Sequence, residues 1–432
     1  MKRTTFGVAA ALLLLAAAAA TGPAAADSGS PPPAPTAPAT WQPRGSVLDG
    51  AATTADAPAM KAGVTYRDTI KPGETRMYGI ALDAKSSAYA SAFAVPRSGS
   101  KVTYDDGLEL KLVSADGSEC DSREGHFDDD GDARPVGTAV ERATGDEDDD
   151  CRRADQYTLQ VHRTSDPGSD QAAWPLELRY VLEPPLKPGS VPRPAPATTG
   201  ATASPTPLTT GTVRQASGGP SFETAAAIRT GVWRDRVLPG ETCFYKVPVD
   251  WGQQATVFAD FSSAPLIGSS LDFVNTGVRL TAFSPVRQYV DGADDSYSGA
   301  PTSLVEQLPT VAYANRSSDD DMVQRVAVAG WYYFAVTVHP DVAKQVSGPV
   351  PVTLRVQVHG TAQAAPAYSG NPGAAGIGVD AHDVAAADGT ATGGSSSSAL
   401  RLVAYGAFGV GTLLLLVLAV WFAAARWRPA RG

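Results

Sequence analysis

Cysteine is scarce in this chain, with three in 432 residues. That is too few for a scaffold stapled by disulfides, so each must be read singly. Histidine is sparse too, five in all. His126, His359 and His382 are scattered, and His162 and His339 sit at matching strand ends, so no zinc-ligand spacing appears. A basic surface is missing: the formal charge is −10 and the pI is near 5.0, which excludes nucleic acid as a partner. There is no Gly-x-Ser-x-Gly elbow and no Gly-rich phosphate loop. A dispersed Ser-His-Asp set, assembled in space rather than in sequence, is the hydrolase alternative.

Long apolar runs occur only at the two ends. Lys2 and Arg3, an apolar stretch from Val8 to Ala20, and Ala24-Ala25-Ala26 before Asp27 read as an export signal over 1–26. The stretch is shorter than the roughly 20 residues a span needs, and no Cys follows it to carry a lipid. Leu402 to Ala425 is apolar and uncharged, long enough to span, and predicts a transmembrane helix over 400–425. Arg426, Arg428 and Arg431 place the tail, 426–432, in the cytoplasm, and Trp421 and Trp427 suit the interface. No Leu-Pro-x-Thr-Gly precedes this helix, so it reads as a retained anchor. Ala407 and Gly411, four apart, either let two helices approach or are the small residues common in Ala-rich spans. The expectation is a single-pass type I protein of the plasma membrane with its ectodomain outside the cell.

Between the ends one unit is used twice. Trp233-Arg-Asp-Arg-Val-Leu-Pro-Gly-Glu-Thr-Cys-Phe-Tyr-Lys-Val-Pro-Val-Asp250 matches Tyr66-Arg-Asp-Thr-Ile-Lys-Pro-Gly-Glu-Thr-Arg-Met-Tyr-Gly-Ile-Ala-Leu-Asp83 without a gap. Further on, Leu159-Gln-Val-His162 answers Val336-Thr-Val-His339, and Pro175-Leu-Glu-Leu-Arg179 answers Pro351-Val-Thr-Leu-Arg355. The repeat is therefore a whole domain. Pro72-Gly73 suits the centre of a type II turn, because Pro presets the first φ and Gly accepts the positive one. Tyr78, Ile80 and Leu82 then alternate with Met77, Gly79 and Ala81, the period of a half-buried strand. Similar short runs at Leu108–Leu112, Tyr157–Val161, Leu176–Leu182, Val278–Leu280, Trp331–Val338 and Val352–Val358 follow, with the Asp116-Gly117 turn between and a turn of helix expected at Ser221–Ile228. Such a pattern predicts an all-β chain of two tandem jelly-roll-like β-sandwiches, 58–184 and 219–360. A Pro/Ala-rich segment, 27–57, is expected to be disordered. A Pro/Thr-rich linker, 185–218, is long enough to keep the sandwiches apart, and a Gly/Ala/Ser-rich stalk, 361–399, leads to the membrane.

The residues Thr224-Ala225, Gly231, Leu238-Pro-Gly-Glu241, Phe244-Tyr-Lys-Val247, Trp251-Gly252 and Ala329-Gly-Trp-Tyr-Tyr-Phe334 resemble the bacterial pre-peptidase C-terminal domain, a jelly-roll-like sandwich appended to many secreted proteins. The resemblance covers both units, more clearly the second, and implies an accessory module without catalytic residues. The run Gly240 to Gln253 also resembles segments of actinobacterial surface proteins that carry von Willebrand factor type A domains, which implies a surface-assembly setting.

The candidate sites are few. Cys120 and Cys151 are expected to pair in an exported chain. Between them runs an acidic insert with Asp128-Asp-Asp-Gly-Asp132 and Asp146-Glu-Asp-Asp-Asp150. Asp128, Asp130 and Asp132 offer alternating oxygens that would suit calcium, but Ala133 stands where an EF-hand loop has Gly and no Glu closes the loop. A solvated acidic loop is the competing expectation. Asp294-Asp-Ser-Tyr-Ser298 spells a metal-adhesion motif in a polar context that does not support one. Cys243 shares a strand face with Tyr245 and Val247; burial is one reading and a disulfide between two chains the other. No cofactor is expected, calcium apart. The functional expectation is a non-enzymatic, membrane-anchored binding or assembly protein whose partner is another exported or membrane protein. A carbohydrate- or wall-binding module is the alternative.

Overall fold

The computed structural model describes residues 37–143, 150–194, 205–268 and 272–389. The expected export signal, membrane helix and tail lie outside the described residues. Among those described, no helix is long and apolar enough to cross a membrane.

Nine strands form the first sandwich: β1 (Ser46–Val47), β2 (Thr65–Ile70), β3 (Thr75–Leu82), β4 (Ser87–Ala94), β5 (Gly107–Val113), β6 (Glu119–His126), β7 (Val136–Arg142), β8 (Asp155–Thr164) and β9 (Trp174–Glu183). Ten form the second: β10 (Val213–Gln215), β11 (Ala226–Ala227), β12 (Gly231–Val237), β13 (Glu241–Val249), β14 (Gln254–Phe261), β15 (Val274–Phe283), β16 (Tyr289–Tyr297), β17 (Thr302–Gln307), β18 (Gly330–Val338) and β19 (Val350–His359). The first packs a sheet in the order β1-β2-β9-β4-β7 on one in the order β3-β8-β5-β6; the second packs β10-β12-β19-β14-β17 on β11-β13-β18-β15-β16. Apart from the added β11, the two orders are the same connection made twice.

The duplication reaches side-chain detail. The turns before β3 and β13 close with Glu74 N donating to the Lys71 carbonyl and Glu241 N to that of Leu238, 3.1 and 3.0 Å. Gly73 and Gly240 hold the positive φ that each turn requires, 67° and 80°. Below each turn a buried tyrosine donates to an aspartate on the preceding strand, Tyr78 to Asp68 at 2.8 Å and Tyr245 to Asp235 at 2.7 Å. Each carboxylate also accepts a backbone N–H from an incoming segment, that of Gly50 or Gly218. The phenol is thus satisfied inside the core, which a buried hydroxyl requires.

Sequence periodicity missed the strands with two buried faces. Every residue of β4 is buried. Its Ala88, Ala90, Ala92 and Ala94 face their own core, whereas Tyr89 and Phe93 point out of the sandwich into clusters shared with the second one. The outer face of β4 and β9 therefore packs on the outer face of β13, β15 and β18. Trp41, Phe93, Phe222, Phe244 and Phe283 meet there with ring centroids 4.9 to 6.5 Å apart. Two ion pairs are buried in the same seam. Arg287 reaches Glu177 at 2.9 Å, and Arg316 reaches Glu183 at 3.1 Å. Arg287 takes a left-handed backbone, φ 68°, an uncommon state for a side-chain-bearing residue. It turns its guanidinium over Phe222 as well as onto Glu177.

The linker is long enough to keep the sandwiches apart, yet they meet along this seam. Both ends of the linker are bound: Lys187 N donates to the Ala367 carbonyl at 2.7 Å, and Arg355 and Gln357 donate to the Leu208 and Thr206 carbonyls at 2.5 and 2.8 Å. The segment expected to be disordered is placed from residue 37 onward. Trp41 is 3% exposed, and its indole N–H donates to Glu177 at 3.0 Å. The buried ring and its hydrogen bond offset part of the cost of ordering this Pro-rich stretch. The stalk is likewise packed as far as residue 389. Tyr368 donates to Glu183 at 2.6 Å, and Asp383, in a short helix α1 (Ala381–Ala387), accepts from the Trp331 indole. Residues 221–228 form a turn and then β11, paired parallel to β13, instead of a turn of helix.

Removing one partner of a buried ion pair leaves an uncompensated charge. Arg287→Ala is therefore expected to lower unfolding free energy by about 3–5 kcal/mol, read by denaturant titration. Combining it with Glu177→Gln, which removes the orphaned charge but keeps an acceptor for the Trp41 indole, is expected to cost less.

Candidate functional site

The insert between Cys120 and Cys151 is the part of the first sandwich that most departs from its sequence reading. The two cysteines form a disulfide, with Cα atoms 5.6 Å apart. Closing a loop of this size contributes about 3–4 kcal/mol on the chain-entropy model. It pins the start of β6, an edge strand, to the helical turn at Asp150–Arg152. The insert also holds β7, and the acidic turn between β6 and β7 is solvated only in part, with Asp129 exposed and the Asp128 side chain 45% exposed while two carboxylates are buried. Asp132 is 5% exposed, and the Asp130 side chain 7%.

That turn docks on the second sandwich. Asp130 accepts from the Thr276 hydroxyl at 2.8 Å and pairs with Arg279 at 3.0 Å, and Asp128 pairs with Arg279 at 2.6 Å and Arg134 at 2.7 Å. His339 completes the latch. Its Nδ1 accepts the Asp341 N–H at 3.0 Å, so Nε2 carries the proton and donates to the Asp130 carbonyl at 3.1 Å. The equivalent His162 contacts Thr75 within its own sandwich, so the matching strand ends have diverged in use. Burial alone would raise the Asp130 carboxyl. The Asp132 amide, Thr276, Arg134 and Arg279 outweigh burial and hold it below its ordinary value. Asp132 goes the other way, raised chiefly by burial. Two guanidinium groups thus supply the counter-charge that a calcium ion would bring to Asp128 and Asp130. Asp294 lies on the antiparallel edge strand β16, not at the end of a parallel strand. Cys243 is unpaired and 4% exposed in the second core; burial pushes its thiol up.

Beside the latch the seam opens into a cleft of about 440 Å³. The first sandwich lines it with Tyr104, with Arg123, Glu124 and His126 of β6, and with Asp128 and Arg134; the second lines it with Arg279, Gln288, Tyr289, Asp294 and Arg325. The ring cluster reaches it too, through Phe93, Phe244 and Phe283. Two tyrosines at this cleft are well exposed, Tyr104 at 56% and Tyr289 at 40%. Both are braced. Tyr104 stacks on His126 at 5.4 Å and 19°, and His126 is held by Glu124 at 2.9 Å. Tyr289 stands edge-on to Phe283 at 6.3 Å and lies across Gly292, where an added Cβ would come within 3.1 Å of its hydroxyl.

Near Tyr289 lie Asp291 and Glu306, which add to burial in raising its phenol. Glu306 is 3% exposed. Burial first, then Asp291, lifts its carboxyl from 4.5 to about 8. The folded chain holds this proton more tightly than the unfolded chain does. Its contribution is therefore complete below about pH 4.5 and is lost as pH rises through about 8.

Among the cleft residues, sequence reasoning singled out Asp128, weighed Asp294 as part of a metal-adhesion motif and set it aside, and missed Tyr104, Tyr289 and the arginines. Nothing local marks them, since the cleft exists only where two domains distant in sequence meet.

No protein-family model matches the chain, and no curated protein matches it. Similar solved structures include the pre-peptidase C-terminal domain of collagenase from Bacillus anthracis, 12% identical over 29% of this chain and 94% of that one, TM-score 0.19. The N-terminal CBM22-1-CBM22-2 tandem domain of Paenibacillus barcinonensis Xyn10C is 10% identical over 75% of this chain and 100% of that one, TM-score 0.18. The CUB1-EGF-CUB2 domain of human MASP-1/3 is 7% identical over 68% of this chain and 99% of that one, TM-score 0.15. Scores this low carry no argument, and the sandwich assignment rests on the sheet orders above.

Two outcomes test the site's electrostatics. Glu306→Gln is expected to match the parent's stability at pH 5 and exceed it at pH 9 by roughly 4 kcal/mol, measured by denaturant titration at both values. Chelation with EDTA is expected to leave the thermal midpoint unchanged, whereas Arg279→Ala is expected to cost about 2 kcal/mol.

Proposed function

We propose that the chain is a non-enzymatic binding or assembly protein, held on the plasma membrane by one helix with its joined sandwiches outside the cell. Its partner is another exported or membrane protein, or a cell-wall polysaccharide. One observation carries this reading: the seam that locks the sandwiches together also leaves a cleft open, edged with charged groups and two braced, exposed tyrosines. Most ligand sites are largely pre-formed concavities of about 300–1,000 Å³ with a few convergent polar groups, and this cleft fits that description. Its chemistry favours holding over reacting. Asp128 is bound by two arginines, and His126 is held by Glu124 and covered by Tyr104. The anchor and the outward orientation rest on the sequence of the two ends.

The test is crosslinking of the full-length chain in its native membrane, followed by affinity capture, beside an Arg123→Glu, Arg325→Glu double variant and the anchor without its sandwiches. A protein or polymer recovered with the parent and lost from the variant is the expected result. Equal recovery with the bare anchor would leave a spacer as the better account.

A further inference from the structure

We infer that the cleft between the sandwiches binds a neutral saccharide chain, with Tyr104 and Tyr289 as stacking platforms for two sugar rings. This rests on the binding reading above and names the class of ligand. A pyranose ring is amphipathic, with a face of C–H groups and an edge of hydroxyls. It is therefore held best by an aromatic face beside groups that both donate and accept hydrogen bonds.

Both requirements meet in this cleft. An exposed aromatic ring usually costs solubility without return, yet one from each sandwich opens onto the same space. Each is also fixed from behind, Tyr104 by His126 and Tyr289 by Phe283 and the bare backbone of Gly292. Rigid tyrosines bury contact area at little entropic cost. Around them stand Arg123, Glu124, Asp294 and Arg325. With Arg134, Arg279 and Asp128 the lining carries four guanidinium groups and three carboxylates, and these are largely neutralised by ion pairs, Arg123 with Asp121, Arg325 with Asp321, and Arg134 and Arg279 with Asp128. Such paired groups suit hydroxyls, which accept from guanidinium and donate to carboxylate, better than a phosphate or an acidic sugar. The second requirement of a chain, more than one subsite, follows from the two platforms belonging to different domains. Neither sandwich alone presents both.

The experiment is isothermal calorimetry of the full-length chain, kept in a zwitterionic detergent because glucoside and maltoside head groups would compete. The probes are cellotetraose, the N-acetylglucosamine tetrasaccharide and, as the acidic arm, tetragalacturonate. Saturable binding of a neutral probe is expected, weakened about tenfold by Tyr104→Ala or Tyr289→Ala and within about twofold of the parent for either Tyr→Phe. Both positions are exposed, so the variants are expected to keep the parent's thermal midpoint, which is measured alongside. No binding of either neutral probe, binding of the acidic probe alone, or neutral binding that survives the double alanine variant would each overturn the assignment. The same double variant is carried through the crosslinking capture. If the tetrasaccharides fail but capture is lost in the variant, the sugar assignment falls and the binding reading stands. If capture too is unaffected, both fall.

Discussion

Glu177 and Glu183 are each 1% exposed, and an ionised carboxylate taken out of water costs several kcal/mol unless a counter-charge and hydrogen bonds meet it. Both lie on the last strand of the first sandwich, and the guanidinium groups that form ion pairs with them, those of Arg287 and Arg316, come from the second. Trp41 comes from the segment ahead of β1, and Tyr368 from beyond β19. Once the two carboxylates are in place, the sandwiches, the leading segment and the trailing segment have to converge. The ring cluster then fills the space between them.

That dependence explains why segments with the composition of linkers are ordered. Pro, Ala and Gly supply little to bury, so a stretch of them is placed only where a few side chains reach a demand already present. Trp41 and Tyr368 do so by donating to the buried carboxylates. The linker's own contribution is mostly backbone, its carbonyls at Thr206 and Leu208 accepting from Gln357 and Arg355 on β19. The cleft follows from the same geometry, because a seam that closes over the rings at one level and meets the acidic turn at another leaves it between.

Duplicated domains face a choice between independence and use of their outer faces. Here the inner faces kept their shared pattern, down to the tyrosine–aspartate pair under each turn, while the outer faces diverged. His162 and His339 show the difference most directly: they occupy one position in the repeat, yet only His339 holds the neighbouring sandwich.

The repeat, the alternating strands, the turn glycines and the Cys120–Cys151 pair were legible in the sequence, because each is written in local chemistry: period two, a positive φ, two thiols in a chain whose start reads as an export signal. Strand β4 was not, since a strand buried on both faces shows no polar alternation. Nor was β6, whose polar residues run along a sheet edge without an apolar face. The acidic turn read as solvent-facing because a run of carboxylates ordinarily is, and the residue that reverses this, Arg279, lies some 150 positions away. What the sequence determined by itself was the unit and its repetition; what only the tertiary structure decided was that the units meet. Charge pairs and ring contacts across a seam depend on distances in space that no local pattern encodes.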